Sequence, residues 1–293
     1  MELRHLRYFV ATARAGTVSG AAASLHVTQP GLSRQLRDLE RDLGVDLFVR
    51  DGGRLRLSRT GQEVLPLATA VLDAAAELRR AADLHATGRI ERLLIAAPTV
   101  TLTDVVAPFV ATMGADDPVV DVRGADGAST RSMLLDGADL AIGADRPGAP
   151  FEARRLATLP VWACVAPDHR WAGRASVPLA ELVTEVLVVV PPAYTARAAL
   201  EAAAAGEELS LDGLVEAGNG TIAQALAAAG RGVAVVSDDP RFGLVAVPVT
   251  LRDGSRLAVR LSAAWDPRTV TGPAVAAVVQ RLAAWVAARY GAA

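Results

Sequence analysis

Lysine is missing from this chain: all thirty basic residues are Arg. This points to a GC-rich bacterial genome and carries no mechanism. There is one cysteine, Cys164, so an internal disulfide is excluded and a reducing cytoplasm is the expected compartment. In its apolar setting Cys164 reads as a buried core thiol, with a redox sensor as the alternative. Only four histidines occur, and none has a partner at metal-ligand spacing. His5 and His26 therefore read as surface or satisfied core residues, and no metal is expected. No apolar run approaches the ~20 residues of a membrane span. Met1 leads into an amphipathic pattern, not into the charged and then apolar segments of an export signal. There is no G-x-S-x-G, no H-E-x-x-H and no cysteine pair, so neither an enzyme nor a resident cofactor is expected.

What is present is length, apolar content and uneven charge. The 293 residues suit two or three domains, and 52% of them are hydrophobic, ample for packed cores. Residues 1–60 hold ten Arg against six acidic residues, a net of about +4, while the remainder carries about −6. A basic N-terminal unit on an acidic body implies one local surface for a polyanion. Residues 17–47, TVSGAAASLHVTQPGLSRQLRDLERDLGVDL, read as two short helices joined by a tight turn. Thr28 is a good N-cap, Pro30 sits where its missing N–H costs nothing, and Gly44 ends the helix. Leu32, Leu36, Leu39 and Leu43 make one stripe at helical spacing. The other face carries Gln29, Ser33, Arg34, Arg37 and Arg41. Gln and Arg there suit adenine and guanine edges in a major groove, or they form an ordinary solvated face. The neighbours favour DNA. Ala21, Ala22 and Leu25 give a small-residue helix that lets two helices cross closely. LFVR, DGG and RLRLS then read as strand, glycine turn and strand. Arg54 and Arg56 lie on this wing, in reach of backbone phosphates.

The run AASLHVTQPGLSRQLRDLERDLGVDLFVR resembles the N-terminal domain of the LysR-type transcriptional regulators, and the later layout is similar over the whole chain. Gly20 departs from the family pattern, which usually has a polar or charged residue there, and Gly weakens a helix by about 1 kcal/mol relative to Ala. The resemblance implies double-stranded DNA as partner, bound through Thr28, Gln29, Pro30, Ser33, Arg34, Gln35 and Arg37, with Arg50, Arg54 and Arg56 on phosphates.

Thr60 with Glu63 suggests a capping box opening a long helix to about residue 86. Val64, Leu67, Val71, Ala75, Leu78 and Ala82 form a narrow stripe of the kind that packs on a second copy, or on its own domain. The resemblance favours a dimerising linker, with a hinge at residues 87–89. From Arg92 short apolar strands alternate with helices, among them one at 103–113, which reads as α/β. A second such set starts near Leu187, and residues 256–264 read as a strand leading back. Ligands of open α/β sheets bind beyond the strand ends, near helix N-termini. Thr99, Thr101, Ser129, Asn219 and Thr221 lie in such loops, with Tyr194 and Arg197 at a similar helix start. Each polar residue there is a helix cap or a ligand contact. Arg197 could hold a carboxylate or make a surface ion pair. G-x-G-x-x-A at 218–223, with Asp238 further on, mimics a dinucleotide fingerprint, but the segment before it is a poor buried strand.

The expected architecture is α/β with an N-terminal winged helix-turn-helix at 1–59, a linker helix at 60–88, and a two-lobed periplasmic-binding-protein-like effector domain at 89–293. Lobe I is 89–160 plus 266–293, and lobe II is 161–265. The expected function is a sequence-specific transcriptional regulator, and the resemblance implies that its promoter binding and bending respond to a small-molecule effector between the lobes. A ligand-independent regulator with a vestigial sensor is the alternative, and an NAD-dependent enzyme a remote one. The resemblance further implies a dimer through the linker, a tetramer, and RNA polymerase as a partner.

Overall fold

A computed structural model describes residues 1–51, 54–87 and 89–291, without the side chains at 50, 51, 54, 80, 83 and 87. The chain forms two compact units, Met1–Asp83 and Leu84–Ala293.

The first unit has helices α1 (Leu3–Ala15), α2 (Val18–Ser24) and α3 (Gln29–Leu43), a hairpin of β1 (Phe48–Asp51) and β2 (Arg54–Leu57), and the start of a long helix α4 (Arg59–Thr87). Thr17 and Thr28 cap α2 and α3 by accepting from the N–H groups of Gly20 and Gly31, at 3.1 and 3.3 Å. Gly20 thus lies in the first turn of its helix and donates to the cap. Leu6, Phe9, Val10, Ala21, Leu32, Leu36 and Leu39 form the core. Leu43, expected in that stripe, is at the last residue of α3 and is 37% exposed. In the hairpin Val49 is opposite Arg56. The glycine turn at 52–53 lies outside the described residues. Glu40 accepts from the N–H groups of Leu47 (2.9 Å) and Phe48 (3.2 Å), which ties the hairpin to α3.

The cap of α4 is Ser58, not Thr60. Its hydroxyl accepts from Gly61 N–H at 2.8 Å and donates to the Asp46 carbonyl at 2.6 Å, while Glu63 pairs with Arg59. Ser58→Ala is expected to lower the stability of this unit by about 1–2 kcal/mol, read as a lower thermal midpoint. The apolar stripe of α4 divides. Val64, Leu65, Ala68 and Leu72 pack on the first unit's core. Leu67, Val71 and Leu78 stay 66%, 44% and 72% exposed. The early part of the expected linker therefore belongs to the first unit's core, whose boundary falls within α4. The hinge residue Gly88 lies outside the described residues.

The second unit has two sheets. The first has strand order β4 (Val119–Gly124), β3 (Arg92–Ala97), β5 (Leu140–Gly143), β13 (Ala258–Trp265), β6 (Glu152–Pro160). The second has order β10 (Val215–Glu216), β9 (Leu187–Val189), β11 (Val233–Val236), β7 (Trp162–Val165), β12 (Val245–Thr250), β8 (Val177–Pro178). The chain passes from the first sheet to the second after β6 and returns after β12. Val161 N–H donates to the Leu257 carbonyl at 2.8 Å where the crossings run side by side. The returning strand was expected in lobe II. It instead pairs antiparallel with β5 and β6 and completes the first sheet, so the second lobe ends near residue 257. The helix expected at 103–113 starts four residues earlier, at Thr99. It runs as α5 (Thr99–Thr101), a π segment (Leu102–Val106) and α6 (Ala107–Val110). The remaining helices are α7 (Thr130–Leu135), α8 (Leu179–Leu182), α9 (Thr195–Gly206), α10 (Gly220–Ala228) and α11 (Gly272–Tyr290). Val275, Val279, Leu282 and Val286 of α11 bury against the first sheet's core. Among the described residues no helix is long and apolar enough to cross a membrane.

Candidate functional site

In the first unit, α3 presents Gln29, Pro30, Arg34 and Arg37 exposed, with Thr28 exposed at its start and Ser33 half-buried. These positions fall on one arc because Leu32, Leu36 and Leu39 take the opposite one into the core. Arg37 Nε donates to the Ser33 carbonyl at 3.2 Å, which lays the guanidinium along the helix surface. Gln35 departs from the expectation. Its carboxamide oxygen meets His5 Nε2 at 3.1 Å, on the side of α3 that faces α1. Arg56 is exposed on β2. The side chains of Arg50 and Arg54 lie outside the described residues. The surface is thus a helix with Arg and Gln at its exposed N-terminal half, beside a hairpin. Such a helix fits a major groove, and such a hairpin reaches phosphates.

In the second unit a cavity of about 110 Å³ opens between the lobes, lined by Thr101, Asp104, Trp162, Thr195, Ser237 and Asp239 among others. Of the seven residues predicted to face a ligand, Thr101 lines it. The rest have other positions. Thr99 donates both its N–H (2.9 Å) and its hydroxyl (2.6 Å) to the carboxylate of Asp126. Ser129 caps α7 by accepting from Ser132 N–H, and Asn219 caps α10 by accepting from Ile222 N–H. Thr221 is exposed on the first turn of α10. Tyr194 donates weakly to the Gly218 carbonyl at 3.4 Å, and burial followed by the Asp126 and Asp238 charges raises its pKa. Arg197 is largely buried and pairs with Glu201 at 2.6 Å.

The strongest polar feature of the cleft was not foreseen. Asp104, in the π segment of the first lobe, accepts from Asp239 N–H at 3.0 Å and from Arg241 at 2.5 Å, both in the second lobe. Arg289 of α11 reaches Asp239 at 2.8 Å, and Tyr290 donates to the Asp104 carbonyl at 2.9 Å. Buried Gln224 holds the same loop through the Asp239 carbonyl and Arg241 N–H. Burial pushes the Asp104 carboxyl up, against the Asp239 N–H and the Arg241 charge. Asp238, buried and close to Asp104, is pushed up to about 6 by burial first and by Asp104 next.

The G-x-G-x-x-A pattern has a local meaning. The Asp238 carboxylate sits 2.2 Å from where a Cβ on Gly220 would lie, so it fills the start of α10 that a pyrophosphate would need. The preceding strand is two exposed residues, Val215–Glu216. This is not a dinucleotide site. Cys164 is fully buried on β7, and burial, with Asp238 second, pushes its thiol up to about 12. Iodoacetamide is expected to leave Cys164 unmodified in the folded chain and to alkylate it after denaturation, as mass spectrometry would show.

Residues 3–62 match the family of bacterial regulatory helix-turn-helix proteins of the lysR type, and residues 86–287 match the LysR substrate binding domain. Over 75 residues the chain is 52% identical to the Hca operon transcriptional activator HcaR of Escherichia coli, covering 26% of this chain and 25% of that one. Over 195 residues it is 30% identical to the transcriptional regulator MetR of Salmonella typhimurium, covering 65% and 61%. The chain thus spans from a quarter to about three fifths of these relatives' own length in the matched segments. Two full-length solved structures share the fold. One is a point variant of OxyR from Pseudomonas aeruginosa, with TM-score 0.64, 22% identity and coverage of 98% of this chain and 95% of that one. The other is CbnR complexed with its target DNA, with TM-score 0.65, 23% identity and coverage of 96% and 99%. With a helix-turn-helix model on its first unit and a substrate-binding model on most of its second, the chain belongs to the LysR family of bacterial regulatory proteins.

Proposed function

We propose that this chain is a sequence-specific DNA-binding transcriptional regulator, working in the cytoplasm, whose grip on a promoter is set by a small molecule bound between the two lobes. The observation that carries the reading is the pairing of two units in one chain. One exposes Arg and Gln on the helix after a capped turn, and the other has a cavity where two sheets are joined by two strand crossings. Gln29, Ser33, Arg34 and Arg37 read base edges, Thr28 and Pro30 set the helix start against the backbone, and Arg50, Arg54 and Arg56 hold phosphates. The exposed stripe Leu67, Val71 and Leu78 takes a second copy, and dimers pair into a tetramer that bends DNA. A ligand changes that assembly only by binding one lobe arrangement better than another. Thr101 contacts it directly. Thr99, Ser129, Tyr194, Asn219 and Thr221 shape the rim, and no catalytic step is assigned.

Genome-wide mapping of bound sites in the host cell tests this. The expected result is a few discrete promoter sites with dyad symmetry, their half-sites about 34 Å or a multiple apart along the helix. Diffuse binding without a shared motif would contradict it.

A further inference from the structure

The cavity between the lobes has a chemical bias. Its charged lining residues are Asp104 and Asp239, both acids, and there is no Arg or His among the described residues of its wall. The two cations nearby, Arg241 and Arg289, are spent on those same carboxylates. Asp238 does not line the cavity but is buried beside Asp104, so near the wall three carboxylates stand against two guanidinium groups and one negative charge is left over. Asp238 makes no ion pair among the described residues.

Hydroxyls point the same way. Thr101 is 5% exposed and lines the cavity, yet its hydroxyl has no hydrogen-bond partner among the described residues. Thr195 and Ser237 add two more hydroxyls to the wall, again without such partners. Thr195 and Ser237 are half-buried, so these hydroxyls are free to bond to a group inside the cavity. Positions that would suit an anion are already filled from within. Asp126 takes the N–H and hydroxyl of Thr99, Asp145 takes those of Thr130 at 2.9 and 2.8 Å, and Asp238 lies against Gly220. A carboxylate ligand would find no Arg or His among the described wall residues to pair with, because the nearby Arg241 and Arg289 are already taken by Asp104 and Asp239. An ammonium group has three donors and no acceptor, which matches hydroxyl and carboxylate oxygens. The indole of Trp162 in the wall suits a cation as well.

We propose that the cavity between the lobes takes a small ligand with a protonated amine on an apolar body, and discriminates against carboxylates. This rests on the reading of the cleft as the effector site.

The test is calorimetric titration of the full chain with isoamylamine and with 4-methylpentanoate, which share one branched body. The amine is expected to bind, and the acid to bind at least ~10-fold more weakly. Thr101→Val and the isosteric Asp238→Asn should each weaken the amine by a similar factor, with the circular dichroism spectrum unchanged. Binding of the acid as tight as the amine, or no binding of the amine, overturns the proposal, as does full amine affinity in both variants. Ala144→Trp, which fills the cavity, separates this from the broader reading. Acid binding abolished by Ala144→Trp would keep the cleft as a ligand site and discard the charge preference. Amine binding untouched by Ala144→Trp would place the ligand elsewhere and remove both.

Discussion

Asp104→Ala is expected to destabilise the two-lobed unit by about 2–3 kcal/mol. The carboxylate joins the lobes by accepting from Asp239 N–H and from Arg241. Removing it strands a backbone N–H and a guanidinium whose Nε already lacks a partner. Deleting one member of a buried pair typically costs about 3–5 kcal/mol. The lower figure applies because the Arg241 side chain keeps 33% of its surface in water, where solvent screens the charge. Asp104→Asn keeps an acceptor for Asp239 N–H and should recover part of the loss. Denaturant unfolding of the full chain measures both. A change below about 0.5 kcal/mol in Asp104→Ala, the range of an ordinary surface substitution, would mean that the pair does not hold the lobes together.

Gly61→Ala is expected to destabilise the first unit by about 1–3 kcal/mol, although Gly to Ala within a helix normally stabilises by about 0.5–1 kcal/mol. A Cβ at position 61 would lie 2.1 Å from the Leu47 carbonyl oxygen and 3.0 Å from its carbon. Both obstacles are backbone. The Leu47 side chain is fully buried, and its carbonyl accepts from Ser58 N–H at 2.9 Å, so it cannot swing aside. The first turn of α4 is thereby pressed onto the segment entering the hairpin. Thermal unfolding decides the sign. A raised midpoint would show that the helix and that segment can separate without cost.

The parts of the fold that were legible in the sequence are those settled within a few residues. Thr28, Pro30 and Gly44 bracket α3 because caps act locally, and Leu32, Leu36 and Leu39 show its buried face by spacing alone. Ser58 was missed because Thr60 with Glu63 offers the same pattern two residues later, and the carbonyl of Asp46 that favours Ser58 comes from another segment. Gln35 looked like a reader of bases because it is polar. His5, thirty residues earlier, turns it inward. The cleft was legible as a place and not as chemistry. Thr99, Ser129 and Asn219 are marked by their loops, and capping or a carboxylate next door uses them up. Asp104, Asp239, Arg241 and Arg289 converge from the π segment, the loop after β11 and the C-terminal helix, and no spacing rule joins them. The returning strand β13 could be seen, but its sheet depends on which edge of the first lobe stays open, and that is a matter of topology.

In the function proposed above, α3 reads sequence and the hairpin holds the phosphate backbone. Competition binding on a mapped site and a scrambled duplex, at several salt concentrations, tests it most directly with the wild type, Arg34→Ala and Arg56→Ala. Arg34→Ala should lose about 1–3 kcal/mol of discrimination between the two duplexes. Arg56→Ala should weaken both about equally and reduce the salt slope by about 1. An Arg34→Ala protein that still prefers the mapped site as strongly as the wild type would contradict the assignment of α3 as the reading helix.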